Sequence, residues 1–231
     1  MKPWMLLLGI GLLVLVAGIA VTAGATSGVR YRKVTLTARG PGEKPVAVAG
    51  LLVEPPGAPS GKVPGVVFAN GITGSKEWYV QIARRMAQEG LIVLAVDLRG
   101  HGGSGGACEF AFGEANDVIA AGEYLAKNVP GVDPAHVVAM GHSLGGVSAT
   151  RAGIVQPGGP FSSVVAIWSW TSYKDAAVDL TGPLDAFAGR SWLFTSFSRT
   201  FDINSPGAQR DRDIVGSVTD AKPPNYLLAI G

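Results

Sequence analysis

Charge is scarce in this chain. Asp, Glu, Lys and Arg make up 16% of its 231 residues and leave a formal net charge of +2. So weak and dispersed an excess argues against nucleic acid as a partner, and no run of Lys and Arg is long enough to track phosphates. Only Arg30, Arg32 and Lys33 form a dense basic spot. It flanks an apolar segment, a position suited to lipid headgroups. Cysteine is scarcer still. Cys108 stands alone, which excludes an internal disulfide and a cysteine-built metal site. In its Gly-rich loop it reads as a bystander. There is no internal repeat and no low-complexity tract. Apolar residues at 47% exclude a disordered chain. Together with 33 Gly and 15 Pro they fit a globular α/β protein with tight turns and a buried sheet.

Between Lys2 and Arg30 charge is absent altogether, and Trp4 to Ala25 is nearly all apolar. A helix of about 20 residues crosses a bilayer core of about 30 Å, so this stretch is long enough to span. Trp4 sits at one end, where an indole suits the interface. Residues 1–28 therefore read as a transmembrane anchor or a signal segment. Ala23-Gly24-Ala25 matches a small-residue cleavage pattern, which would give a secreted product. The apolar run is longer than a usual signal core, which favours the anchor. A buried core helix fits less well, because the segment has no polar face. Lys2 and the free amine favour an inside N-terminus, whereas Arg30, Arg32 and Lys33 favour the reverse. The expected arrangement is a single-pass protein with its domain outside the cytoplasm.

About 200 residues remain for one domain, 29–231. Val29 to Ala38 alternates as a half-exposed strand, Gly40-Pro41-Gly42 breaks it, and Val46 to Val53 reads as its antiparallel partner. Gly65 to Ala69 is a short buried strand. Ser75 is placed to cap a helix running to Glu89, with Trp78, Ile82 and Met86 inward, Tyr79 and Ala83 beside them, and Lys76, Glu77, Arg84, Arg85 and Glu89 outward. Gly90 ends it. Leu91 to Val96 is the next strand, followed by the Gly-rich loop Arg99 to Gly106. Glu114 to Asn128 reads as a helix, Asp133-Pro134 as a turn, and His136 to Met140 as a strand. A sharp turn, Gly141 to Gly145, opens a helix that ends before Pro157. Ser163 to Trp168 and Tyr226 to Ile230 are further apolar runs. Strand and helix alternate from residue 65, which predicts an α/β fold with a mostly parallel sheet and helices on both faces.

Gly141-His142-Ser143-Leu144-Gly145 fits Gly-x-Ser-x-Gly between a strand and a helix, the context that motif requires. Small residues flanking the serine let strand and helix pass without collision. The hydroxyl then projects at a helix N-terminus, whose free N–H groups favour developing negative charge. Leu144 would supply one oxyanion donor.

Three stretches together resemble the α/β-hydrolase superfamily, from about residue 30 onward. Phe68-Ala69-Asn70-Gly71-Ile72 resembles the loop after the third strand, with Asn70 where the family usually has His. The second oxyanion N–H maps to Ile72, supported by Gly71. Asp97-Leu98-Arg99-Gly100-His101-Gly102, continued by Ser104, resembles the loop after the fourth strand. Gly141 to Gly146 resembles the nucleophile elbow. The resemblance implies acyl transfer from a small-molecule ester, amide or thioester to water through Ser143, with no metal or organic cofactor.

The family order is serine, then acid, then histidine. This chain has His101, His136 and His142, and none follows Ser143. His142 is expected to pack beside the elbow and His136 to lie on the surface. His101 reads as a loop-shaping residue, with a role as base the lesser alternative. The resemblance places the acid after the strand at 226–230 and the base further on, so both are expected beyond Gly231 and the 231-residue chain alone is expected to be inactive. Asp175 and Asp179 are minor candidates for the acid, while Asp202, Asp211 and Asp213 read as solvated. Residues 171–222 would be a cap insertion; Trp168, Trp170, Tyr173, Trp192, Phe194, Phe197 and Phe201 enrich this region in aromatics that line a pocket or pack a core. A non-catalytic membrane-held binding module and an acyltransferase are the competing readings.

Overall fold

The computed structural model describes residues 28–57, 59–169 and the backbone of 225–229. The apolar segment 4–25 and the cap and acid candidates within 170–224 lie outside these residues. Among the described residues no helix is long and apolar enough to cross a membrane.

Strands β1 (Arg30–Ala38) and β2 (Val46–Glu54) pair antiparallel, as their alternation predicts. Strands β3 (Val63–Ala69), β4 (Ile92–Val96), β5 (Val132–His142), β6 (Ser163–Ile167) and β7 (Asn225–Ala229) run parallel to one another. The seven form one sheet in the order β1-β2-β4-β3-β5-β6-β7. Ala69 stands opposite both Val96 and Gly141, and Gly141 opposite Ala166. The loops after β3, β4, β5 and β6 therefore open at one end of the sheet, where α/β proteins bind ligands.

Helices α1 (Val80–Gln88), α2 (Gly113–Asn128) and α3 (Leu144–Val155) cover both faces. Leu52, Val67, Leu94, Val96, Val137 and Ala139 pack on one face with Val118 and Leu125 of α2 and Val147 and Ala152 of α3. Val53, Val66, Phe68, Val93 and Ala95 pack on the other with Ala83 and Ala87 of α1.

Two local expectations change. The helix expected from Ser75 begins as a 3-10 turn, Lys76–Tyr79, and Ser75 makes no side-chain cap. A 3-10 turn advances more per residue than an α-helix. The buried stripe therefore shifts to Tyr79, Ala83, Met86 and Ala87. Trp78 and Ile82 are left exposed, while Lys76, expected in water, is buried. Its ammonium lies 2.6 Å from the fully buried Asp97 carboxylate. The turn expected at Asp133-Pro134 is instead an irregularity inside β5, where pairing shifts from Val63–Val132 to Gly65–Val137.

The Gly-rich loop after β4 is anchored by charge. Arg99 is buried and donates through Nη2 to Asp117 Oδ1 at 2.9 Å, and through Nη1 to Glu43 at 3.1 Å and Glu109 at 3.0 Å. Beside it lies Glu114, fully buried in the first turn of α2. Its Oε1 accepts the Glu109 N–H at 2.7 Å, and its Oε2 has no partner. Burial raises its carboxyl from 4.5 to about 7. Burial and the neighbouring Glu114 charge likewise push the Cys108 thiol far upward, which keeps it un-ionised.

Because the folded state holds the Glu114 proton more tightly than the unfolded one, its contribution is full below about pH 4.5. It is lost as pH rises to about 7. Glu114→Gln keeps the acceptor for Glu109 but cannot ionise. It should gain stability over the wild type at pH 8, on the order of 3 kcal/mol, and none at pH 4. Urea midpoints measured across this range check it, and parallel pH profiles for the two proteins would refute it.

Candidate active site

Ser143 stands where β5 turns into α3. Its backbone has φ 54° and ψ −121°, a left-handed conformation that a residue with a side chain rarely adopts. Such a residue costs on the order of 1–3 kcal/mol and persists only where its surroundings hold it. Here the Ser143 N–H donates to Ile167 O at 2.9 Å, and its carbonyl accepts from Val147 N–H at 3.1 Å. The flanking glycines are required by contact. A Cβ at Gly141 would strike the backbone of Gly145, and one at Gly145 would strike the backbone of Ala69. One at Gly146 would meet Ser169 Cβ at 2.9 Å. Ser143 is half-buried. Leu144 is the first residue of α3, so its N–H has no acceptor within the helix.

The loop after β3 is built on Asn70. This residue, fully buried, accepts the Leu98 N–H at 2.7 Å through Oδ1. Its Nδ2 donates to Gly71 O at 2.8 Å and Gly74 O at 3.0 Å. The departure from histidine here thus produces a satisfied scaffold that locks two loops together. Ile72 is half-buried and packs against the core. Gly71 lies against the elbow, where an added Cβ would meet His142 Nδ1 at 3.1 Å.

The histidines are all engaged. His142 Nδ1 lies 3.2 Å from Tyr79 Oη, and its ring stacks at a tilt on Trp168, with centroids 5.9 Å apart. It packs beside the elbow as expected, and burial holds its pKa below the usual value. The Nδ1 of buried His101 bonds Arg99 O at 2.9 Å, which fits a loop-shaping role. Exposed His136 pairs with Asp133 at 2.7 Å. No hydrogen bond joins Ser143 to any of the three among the described residues. Asp97 shapes the Gly-rich loop after β4. Its carboxylate also accepts the backbone N–H of Lys76 at 2.6 Å and of Gly103 at 2.8 Å.

Two neighbours of the elbow were not visible as site residues in the sequence. Tyr79 carries no motif and in the sequence is only a residue beside the inward positions of a helix. Trp168, with φ 47° and 67% of its surface exposed, is in the sequence one of several aromatics around the expected cap. Among the described residues, no group of three His, Cys, Asp or Glu side chains converges to hold a metal ion.

A parallel sheet with an antiparallel edge, helices on both faces and a serine on a tight strand-to-helix turn define an α/β hydrolase. The model for the family serine aminopeptidase, S33, matches residues 62–211, and the chain belongs to that family. It is 32% identical over 186 residues to an uncharacterized protein of Mycobacterium tuberculosis, found in two strains. The match covers 76% of this chain and 64% of that protein, so the chain spans less than two thirds of the relative's length. Among solved structures, a Pyrococcus furiosus esterase superposes with a TM-score of 0.65 at 24% identity, over 90% of this chain and 74% of the esterase. An acylaminoacyl peptidase of Pyrococcus horikoshii gives 0.61 at 15% identity, over 93% of this chain and 33% of the peptidase. A bacterial heroin esterase gives 0.55 at 21% identity, over 75% and 54%. At these identities the likeness is one of fold.

Asn70→Ala would leave the buried Leu98 N–H and Gly74 carbonyl unpaired, while Gly71 O keeps the Gly74 N–H at 3.0 Å. It should destabilise the domain by about 2–4 kcal/mol. A urea midpoint unchanged from wild type would show that the loops are held by other contacts.

Proposed function

We propose that Ser143 is the nucleophile of an acyl transfer to water from a small-molecule carboxylic ester, thioester or amide. The observation that carries this reading is the left-handed backbone of Ser143 at the carboxyl end of a central strand and the mouth of α3. That geometry has a cost in stability that the surrounding packing must bear, which fits a functional constraint. In the proposed step Ser143 Oγ bonds to the carbonyl carbon and its proton passes to a histidine base. The carbonyl oxygen, now negative, receives the N–H groups of Leu144 and Ile72. Collapse expels the leaving group with that proton, and water then releases the acid from the acyl-serine. Gly141, Gly145, His142, Asn70 and Gly71 support the two donors.

The base and its acid partner are assigned to residues following Gly231. Among the described residues none of His101, His136 and His142 hydrogen-bonds to Ser143, each ring being bonded to other partners, and the mycobacterial relatives are longer than this chain. On this reading the 231-residue chain alone does not turn over ester. In the full-length protein, a fluorophosphonate probe should label wild-type Ser143, and Ser143→Ala should abolish labelling. Labelling that survives the substitution ends the assignment.

Segment 4–25 is proposed to hold the domain at a membrane, outside the cytoplasm, with secretion after cleavage near Ala25 as the alternative. Arg30 pairs with Glu54, whereas Gly50 of the same strand pairs with Val96. The chain thus enters the sheet at the end opposite Ser143, which favours a mouth facing away from the bilayer. The protein should stay with membranes through a carbonate wash, and deleting residues 1–28 should release it. Recovery of the intact chain in the soluble fraction would refute the anchor.

A further inference from the structure

Tyr79 touches both halves of this site. Its hydroxyl oxygen accepts the Gly71 N–H at 3.1 Å and lies 3.2 Å from His142 Nδ1. With one hydrogen already directed at the oxygen from Gly71, the hydroxyl hydrogen is left for Nδ1, which assigns the ring proton to Nε2. Burial favours the uncharged form of both partners, since it raises the Tyr79 pKa and lowers that of His142. The Tyr79 ring is itself fixed, tilted 4.7 Å from Phe68 of β3. Packing alone would be served as well by Phe, so the hydroxyl needs another reason.

We infer that Tyr79 is a positioning residue for acyl transfer, its hydroxyl tying the loop that carries Ile72 to the elbow that carries Ser143 and Leu144. The inference rests on the reading of Ser143 as nucleophile. Two oxyanion donors from separate segments must meet one oxygen atom, and a misplacement of about 1 Å costs on the order of a hundredfold in rate. Gly71 precedes Ile72, and His142 precedes Ser143 and Leu144, so a bond from one hydroxyl to both fixes the spacing of donors that lie one and two residues further on. The hydroxyl touches no reacting atom and acts only through this spacing.

The test is Tyr79→Phe in the full-length protein. The expected result is a fall of roughly ten- to a hundredfold in kcat for p-nitrophenyl esters and in the fluorophosphonate labelling rate, with KM within about twofold of wild type. In 15N-histidine spectra the His142 titration midpoint should move upward, because the neutral ring has lost its donor. His142→Phe removes the other end of the bond and should give a similar rate loss, with little further loss in the double variant. A wild-type labelling rate in Tyr79→Phe overturns the positioning role. A His142 midpoint that does not move overturns the bond itself. If wild-type Ser143 fails to react, the nucleophile reading falls, while the His142 midpoint still decides the bond.

Discussion

The structure depends on how closely α3 crosses β3 and β5. Gly145 lies on the backbone of Ala69 and Gly141 lies on the backbone of Gly145, with no room for a methyl group at either place. That contact brings the first turn of α3 down onto the centre of the sheet. It also forces the one residue between strand and helix into a left-handed backbone, and that residue is Ser143. The strain is local and its supports are not. Ile167 of β6 accepts the Ser143 N–H, and the buried stripe of α3 sits in the larger of the two cores. Strain of this kind is borne where surrounding packing over-determines the backbone.

Around the elbow, order comes from polar groups buried with their partners. Asn70 joins the loops after β3 and β4 through three hydrogen bonds. Asp97 gathers the start of the 3-10 turn and the glycine loop. Arg99 ties that loop to α2 and to Glu43. Each is a charge or amide in a dry site, where a satisfied partner rigidifies and a lost one is costly. Glu114 is the exception, with one oxygen unpartnered, and burial holds its proton instead of a counter-charge. Ile72 and Leu144 thus sit on segments that have few ways to move apart.

Much of this was legible in the residues. The alternation of Val29 to Ala38 and the apolar run Gly65 to Ala69 mark an edge strand and a buried strand by side-chain period. Gly-x-Ser-x-Gly between a strand and a helix marks the elbow. The failures share a cause. Trp78 and Ile82 match helical spacing from Ser75, but a single 3-10 turn rotates the whole stripe and leaves them in water. Lys76 has the look of a surface residue, and only the approach of Asp97 from β4 makes its burial tolerable. Tyr79 bears no motif, because what distinguishes it is the position of its hydroxyl between two distant segments.

By itself, then, the sequence determined the class of fold, the strand-to-helix turn and the serine at its apex, because these follow from local periodicity and from glycine contacts between near neighbours in the chain. Tertiary structure alone decided which polar residues are buried, how Asn70 replaces a histidine, and that Tyr79 lies between Gly71 and His142. Those are pairings across the sheet, and a hydrogen bond between residues far apart in the chain leaves no periodic trace in either of them.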